Sequence, residues 1–313
     1  MIRNCLLLCL CCLIGASQAQ TPIPTPGAKE AGQVKHETVA DRPSALYRFE
    51  THEMVSADGQ RTYRIDLSIP RKPPSNKGYP VLYMLDGNAT MVTLTDQDLA
   101  SVSGGNPLVL VAIGYDTPDR LDVKARSYDY TPPVLENGKR VQAPAVRGRV
   151  GGGADIFLHF INTQIKPLVR ARANIDSRQE SLWGHSYGGL FVLHTLFTQP
   201  NAFGRYIMGD PSAWWYDGAI MQDWENFDTS LAIGKQVTIL VGTRAPATRR
   251  TTRQPPPPQS INRAAFLRTA SKKVTDGLRQ AGVQASYEEF PEYGHGDMSR
   301  VSLERALQDA ARP

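Results

Sequence analysis

Tyr63, Ile65, Leu67 and Ile69 alternate with polar residues, the period-two pattern of a strand with one face on a core. Residues 46–55 are its expected antiparallel partner. Residues 81–85 and 108–113 are instead near-continuous apolar runs, which fit parallel strands covered on both faces. Further strands are expected at 181–184, 206–208, 237–241 and 285–290. Asp155 heads an expected helix that carries Ile156, Phe157, Phe160, Ile161, Leu168 and Val169 on one side. Residues 190–197 form an apolar helix stopped near Pro200, 262–280 a basic helix, and another helix closes the chain. Strands alternating with helices predict an α/β domain with a mostly parallel central sheet and helices on both faces.

Two stretches break the pattern. Residues 115–153 show little periodicity, are rich in Arg, Tyr and Pro, and end in three glycines; they read as a substrate-facing insertion. Residues 244–259 are basic, contain four consecutive prolines, and read as a mobile surface loop. Long segments without elements inside a compact domain are usually functional or disordered.

The first residues carry an expectation about where the protein works. Arg3, an apolar run over 5–14 and Ser17-Gln18-Ala19 have the layout of a cleavable signal peptide, 1–19. The run is shorter than the ~20 residues a spanning helix needs, and no later run reaches that length. Residues 20–42 read as a flexible entry segment and 43–313 as one α/β domain. All 4 cysteines lie in the leader, so no disulfide framework is expected in the mature chain. A lipid anchor is not expected either, because Leu8 and Cys11 precede Cys9 and Cys12 where a small residue is wanted. The net charge of +5 is spread along the chain, with no basic tract interleaved with aromatics, which argues against nucleic acid as a partner.

The sharpest chemical signal is Gly184-His185-Ser186-Tyr187-Gly188-Gly189, placed directly after a strand and before a helix. A G-x-S-x-G elbow sets its serine on a tight turn at the top of an α/β-hydrolase sheet. Ser186 is therefore the expected nucleophile and needs a base. His295, between two glycines after the last strand, is that base. His185 reads as a packing or hydrogen-bonding residue. Triads of this fold run Ser, Asp or Glu, then His, yet no acidic residue occurs between Asp228 and Asp276. A Ser-His dyad is the favoured reading, with Asp210 the best substitute acid. The oxyanion hole is expected from the Tyr187 N–H with one from Gly87 or Asn88, and Asp86 is taken as a turn former. No metal-ligand spacing appears in the mature chain, and neither a metal nor a cofactor is expected.

Residues 81–87 (VLYMLDG), 126–132 (RSYDYTP), 182–193 (LWGHSYGGLFVL) and Gly294-His295-Gly296 with Met298 give the chain its resemblance to the periplasmic siderophore trilactone esterases, of the esterase D-like branch of α/β hydrolases. The resemblance runs from about residue 44 to the end. It implies a periplasmic serine esterase acting on a catecholate trilactone such as enterobactin or salmochelin, free or iron-loaded, through a Ser-His dyad. One departure is Met208-Gly209-Asp210-Pro211-Ser212, where relatives resemble Ser-Pro-Ser, which puts the dyad in question. A tri-catecholate brings aromatic rings and negative charge, suited to contacts with Arg126, Arg147, Arg149, Tyr128 and Tyr130 of the insertion and to stacking on Trp214 and Trp215. Two rivals remain: a general short-chain carboxylesterase or thioesterase, and a non-catalytic periplasmic protein that binds ferric siderophore. Oligomeric state is not legible.

Overall fold

The computed structural model describes residues 36–136, 138–145, 148–245 and 262–312. The leader reading (1–19), residues 20–35 of the entry segment and 246–259 of the basic loop lie outside the described residues.

The alternating segment forms β2 (Thr62–Pro70), antiparallel to β1 (Tyr47–Val55) as its pattern predicts. β3 (Tyr79–Met84) leads into the short helices α1 (Gly87–Thr93) and α2 (Asp96–Ser101) before β4 (Val109–Tyr115). The insertion holds α3 (Ala125–Asp129) and a hairpin of β5 (Val134–Glu136) and β6 (Lys139–Val141). The helix expected from Asp155 is in fact α4 (Ala154–Phe160), a π turn over Ile161–Ile165 and α5 (Lys166–Arg172). Pro167 explains the interruption: it has no N–H for the carbonyl four residues back, and the preceding turn widens. Then follow β7 (Ile175–His185), α6 (Tyr187–Thr198), β8 (Arg205–Gly209), α7 (Ile220–Asn226), β9 (Gln236–Gly242), α8 (Arg263–Gln280), β10 (Gln284–Phe290) and α9 (Met298–Ala310).

Eight strands form one sheet in the order β1-β2-β4-β3-β7-β8-β9-β10. β2 is antiparallel to β1 and β4; every other neighbouring pair is parallel. The near-continuous apolar runs are explained by the two cores they serve. Val81, Tyr83, Val109, Val111 and Leu182 face one side, packed with Phe157, Leu190 and Val274 from α4, α6 and α8. Leu82, Met84, Leu110 and Trp183 face the other, packed with Met91, Leu99 and Leu303 from α1, α2 and α9. Parallel strands end on one edge of such a sheet, and ligands bind in the crevice beyond that edge. The residues that follow β3, β7, β8 and β10 are therefore brought together there. Among the described residues no helix is long and apolar enough to cross a membrane.

One buried polar cluster ties the helices of the first face together. His194 of α6 is fully buried, with Nε2 2.7 Å from Asp155 Oδ1 of α4. Its Nδ1 lies 3.6 Å from Asp223 Oδ2 of α7, an ion-pair separation with no hydrogen bond. Asp223 also takes Arg140 from the hairpin at 2.6 Å. Burial alone would lower the His194 pKa, but the two carboxylates outweigh it and hold it above the ordinary value. A histidine raised in the folded state stabilises fully below its unfolded pKa of ~6.5 and loses that contribution as pH rises through the folded value. His194→Gln should therefore lower Tm more at pH 6 than at pH 9 in paired melts. An equal loss at both would mean the imidazole contributes only packing.

Candidate active site

The turn after β7 decides where the chemistry sits. Ser186 has φ 59° and ψ −115°, a backbone conformation that L side chains rarely adopt. It is held there by its N–H to the Gly209 carbonyl at 2.9 Å and its own carbonyl, which accepts from Ser212 N–H at 3.0 Å. The turn is so tight that a Cβ on Gly184 would stand 2.4 Å from the Gly188 carbonyl carbon. Only glycine fits. α6 begins at the next residue, Tyr187, whose N–H belongs to the first helical turn and has no intrahelical partner.

Across this edge His295 places Nε2 3.1 Å from Ser186 Oγ and Nδ1 3.1 Å from Asp210 Oδ2. Asp210 is 1% exposed, and its other oxygen accepts the Gly242 N–H at 2.9 Å. It follows β8 with φ 42°, a turn that carries its side chain beneath the imidazole. A serine, an imidazole and a buried carboxylate thus stand in line, each within hydrogen-bond reach of the next. In place of the bare dyad favoured from the sequence, the geometry sets the substitute acid Asp210 within reach of the imidazole, supplied after β8 rather than after β9. An imidazole held this way by a carboxylate can take a proton from the serine and carry the resulting charge.

The Esterase family model matches residues 56–310. The chain belongs to this esterase family. It is 34% identical over 271 residues to the apo-salmochelin esterase of Escherichia coli O6:H1, covering 87% of this chain and 81% of that protein. It is 32% identical over 270 residues to the ferri-bacillibactin esterase BesA of Bacillus subtilis, covering 84% and 90%. Among solved structures, the enterobactin hydrolase IroE in complex with DFP superposes with a TM-score of 0.73 at 31% identity, over 88% of this chain and 99% of that one. The expected family resemblance and the α/β-hydrolase fold are borne out, and the chain is a serine ester hydrolase.

In this esterase the turn after β3 lies against the elbow. A Cβ on Gly188 would touch Leu85 at 3.5 Å and Asp86 Oδ2 at 3.8 Å. Asp86, like Ser186, has a positive φ, 54°, here with the ψ of a left-handed turn, and α1 starts directly after it. Gly87 and Asn88 therefore head a second helix beside the first, with first-turn N–H groups of their own. The Asn88 side chain is committed elsewhere: its amide donates to the Tyr115 and Thr117 carbonyls and accepts the Tyr115 N–H.

Several expected substrate contacts are placed differently. Arg126 makes a two-pronged ion pair with Asp86 at 2.7 and 2.8 Å, with both side chains 12% exposed. Burial would lower its pKa, and the Asp86 carboxylate reverses that and raises it. The residue is a buried tie between α3 and the β3 turn, which also corrects the reading of Asp86 as a simple turn former. Tyr130 is fully buried and its hydroxyl accepts the Asp86 N–H at 3.0 Å, so it cannot meet a ligand. Trp215 is 4% exposed and packed against Tyr216 and Gly151. Tyr128 lies over Gly153 and under Arg61, lining a cavity of about 550 Å³ whose wall includes no residue of the Ser-His-Asp line. Arg149 is exposed, and Arg147 lies outside the described residues. Trp214 alone of the aromatic candidates is both partly exposed and beside the nucleophile's helix, its ring 6.4 Å from that of Tyr187.

Other residues at the site, Ser212, Arg244 and Arg263, had no readable signal, whereas His185 makes the kind of contact its reading as a packing or hydrogen-bonding residue implied. Ser212 Oγ sits 3.3 Å from Ser186 Oγ. Arg244 clasps the loop that carries His295, donating to the Glu292 carbonyl and pairing with Asp297. Arg263 stacks over Trp214 at 3.9 Å from the ring centre. His185 packs its ring 4.8 Å from that of His295 and donates Nε2–H to the His295 carbonyl at 2.8 Å. Burial, helped by the neighbouring His295, pushes His185 down to about 4, so it stays neutral beside an imidazole that must become charged.

Removing one partner of a buried ion pair leaves the other charge uncompensated, at about 3–5 kcal/mol. Arg126→Met should lower unfolding stability by about that much in urea titrations. An unchanged midpoint would return Arg126 to the role of a surface ligand contact.

Proposed function

We propose that this esterase hydrolyses the ester bonds of a catecholate trilactone siderophore of the enterobactin type, in the periplasm to which its leader-like start would direct it. The observation that carries the reading is the Ser186–His295–Asp210 line with the partly exposed Trp214 ring 6.4 Å from that of Tyr187, the residue after the nucleophile, and stacked under the Arg263 guanidinium. A ring backed by a cation suits an electron-rich, anionic catecholate. Support also comes from the similar proteins, which are a salmochelin esterase, a bacillibactin esterase and an enterobactin hydrolase.

Each residue then has a role. His295 Nε2 takes the proton from Ser186 Oγ as the oxygen attacks an ester carbonyl. Asp210 fixes the tautomer by accepting Nδ1–H and stabilises the imidazolium, while the Gly242 N–H keeps the carboxylate in place. The developing oxyanion is met by the Tyr187 N–H and by Gly87 or Asn88 at the head of α1, both at helix N-termini whose dipoles favour negative charge. His295 returns the proton to the leaving serine hydroxyl of the lactone, and water releases the acyl group by the same steps in reverse.

Purified protein incubated with enterobactin, free and iron-loaded, should give linear or monomeric catechoyl-serine products by mass spectrometry, with none from Ser186→Ala. Turnover of short nitrophenyl esters without trilactone cleavage would leave a general carboxylesterase. Binding without any turnover would leave a ferric-siderophore carrier. Asp210→Asn tests the acid: it supplies the wrong hydrogen-bonding partner for Nδ1–H and should lower kcat by about 10²–10⁴-fold. A kcat within about threefold of wild type would restore the dyad.

A further inference from the structure

We propose that His185, Asp210 and His295 form a binding site for a divalent transition-metal ion such as zinc, and that its occupancy switches the esterase off. One ligand atom from each residue lies within 4.8 Å of the other two. Two imidazoles and a carboxylate are a donor set that zinc takes readily. Bonds of about 2.0–2.2 Å around a tetrahedral ion set neighbouring donors about 3.4 Å apart. Asp210 Oδ2 and His295 Nδ1 are already 3.1 Å apart. The His185 donor, within 4.8 Å of the other two, has to come closer.

The surroundings permit that. His295 is half exposed, on a loop between two glycines, whereas Asp210 is buried and anchored by the Gly242 N–H. His185 donates Nε2–H to a carbonyl, which can only accept, so its Nδ1 carries a lone pair. The His185 ring lies 4.8 Å from the His295 ring. A metal ion on Nδ1 of His295 displaces the proton shared with Asp210 and neutralises the carboxylate. The imidazole can then no longer be stabilised as a cation, and Ser186 loses its base.

The inhibition rests on the catalytic roles proposed above, whereas the binding does not, and two measurements keep them apart. The first titrates ZnCl2 into chelator-stripped full-length protein turning over a small nitrophenyl ester. The expected result is a loss of more than tenfold in rate, reversed by EDTA. Weakening even a supporting contact costs metal sites about tenfold or more. His185→Gln, which keeps an amide to reach the His295 carbonyl, should therefore need at least about tenfold more zinc relative to its own metal-free rate. The second adds CoCl2 to Ser186→Ala and reads the visible absorption of four-coordinate cobalt, expected with His185 present and lost in the Ser186→Ala, His185→Gln double variant. Equal zinc sensitivity with and without His185, or a cobalt spectrum indifferent to it, overturns the proposal. Inactivity of the metal-free wild type with cobalt still bound would instead sink the catalytic reading and leave the metal site standing.

Discussion

The whole active edge hangs on the backbone of Ser186. A positive φ at a residue with a side chain is costly, of order 1–3 kcal/mol, and survives only where its surroundings over-determine it. Here β7 delivers the turn from below, α6 closes it from above, and hydrogen bonds to Gly209 and Ser212 pin it from the side of β8. Gly184 and Gly188 make the close approach sterically possible. The same segment that supplies these pins, 209–212, also carries Asp210 and the Ser212 hydroxyl, so the strained turn and the imidazole's carboxylate are fixed by one piece of chain. Position and chemistry cannot vary independently there.

That coupling accounts for where the acid sits. β8 is the immediate neighbour of β7, so a residue just past its end needs little reach to stand beneath an imidazole that faces the elbow. The carboxylate is almost fully buried, and an unpaired charge in that position would be expensive. The Gly242 N–H and the His295 ring together give it partners on both oxygens. β9 contributes a backbone donor instead of an acid. The loop after it contributes Arg244, which steadies the chain around His295 from outside. The acid and the strap have exchanged the places that strand order alone would lead one to expect.

Much of this was legible in the sequence, for identifiable reasons. Buried parallel strands must be apolar on both faces, so 81–85 and 108–113 announced themselves, and the elbow glycines are demanded by sterics that leave little freedom. His295 was legible because the last strand and last helix bracket it. Asp210 was visible as a candidate but not as the partner, because its role depends on a φ of 42° that no residue pattern encodes. Arg126 and Tyr130 misled for the opposite reason. Composition marks an insertion as charged and aromatic, but burial against Asp86 is a tertiary fact. The short helices α1 and α2 carry too few turns for a 3.6-residue period to show.

The arginines over Tyr187 and over Trp214 then separate by environment rather than by residue type. Arg126 stands 5.4 Å over the Tyr187 ring but spends its guanidinium on Asp86, largely out of solvent. Arg263 stands over Trp214 at the solvent edge, 3.9 Å from the ring centre. A buried, paired charge holds the β3 turn against the elbow and so serves the oxyanion side of the site through geometry. An exposed charge on an aromatic face offers its field outward, where a ligand's negative ring can meet it with less desolvation to overcome. One kind of contact, a guanidinium on a ring, thus gives rigidity on one flank of the nucleophile and, on the proposed function, recognition on the other.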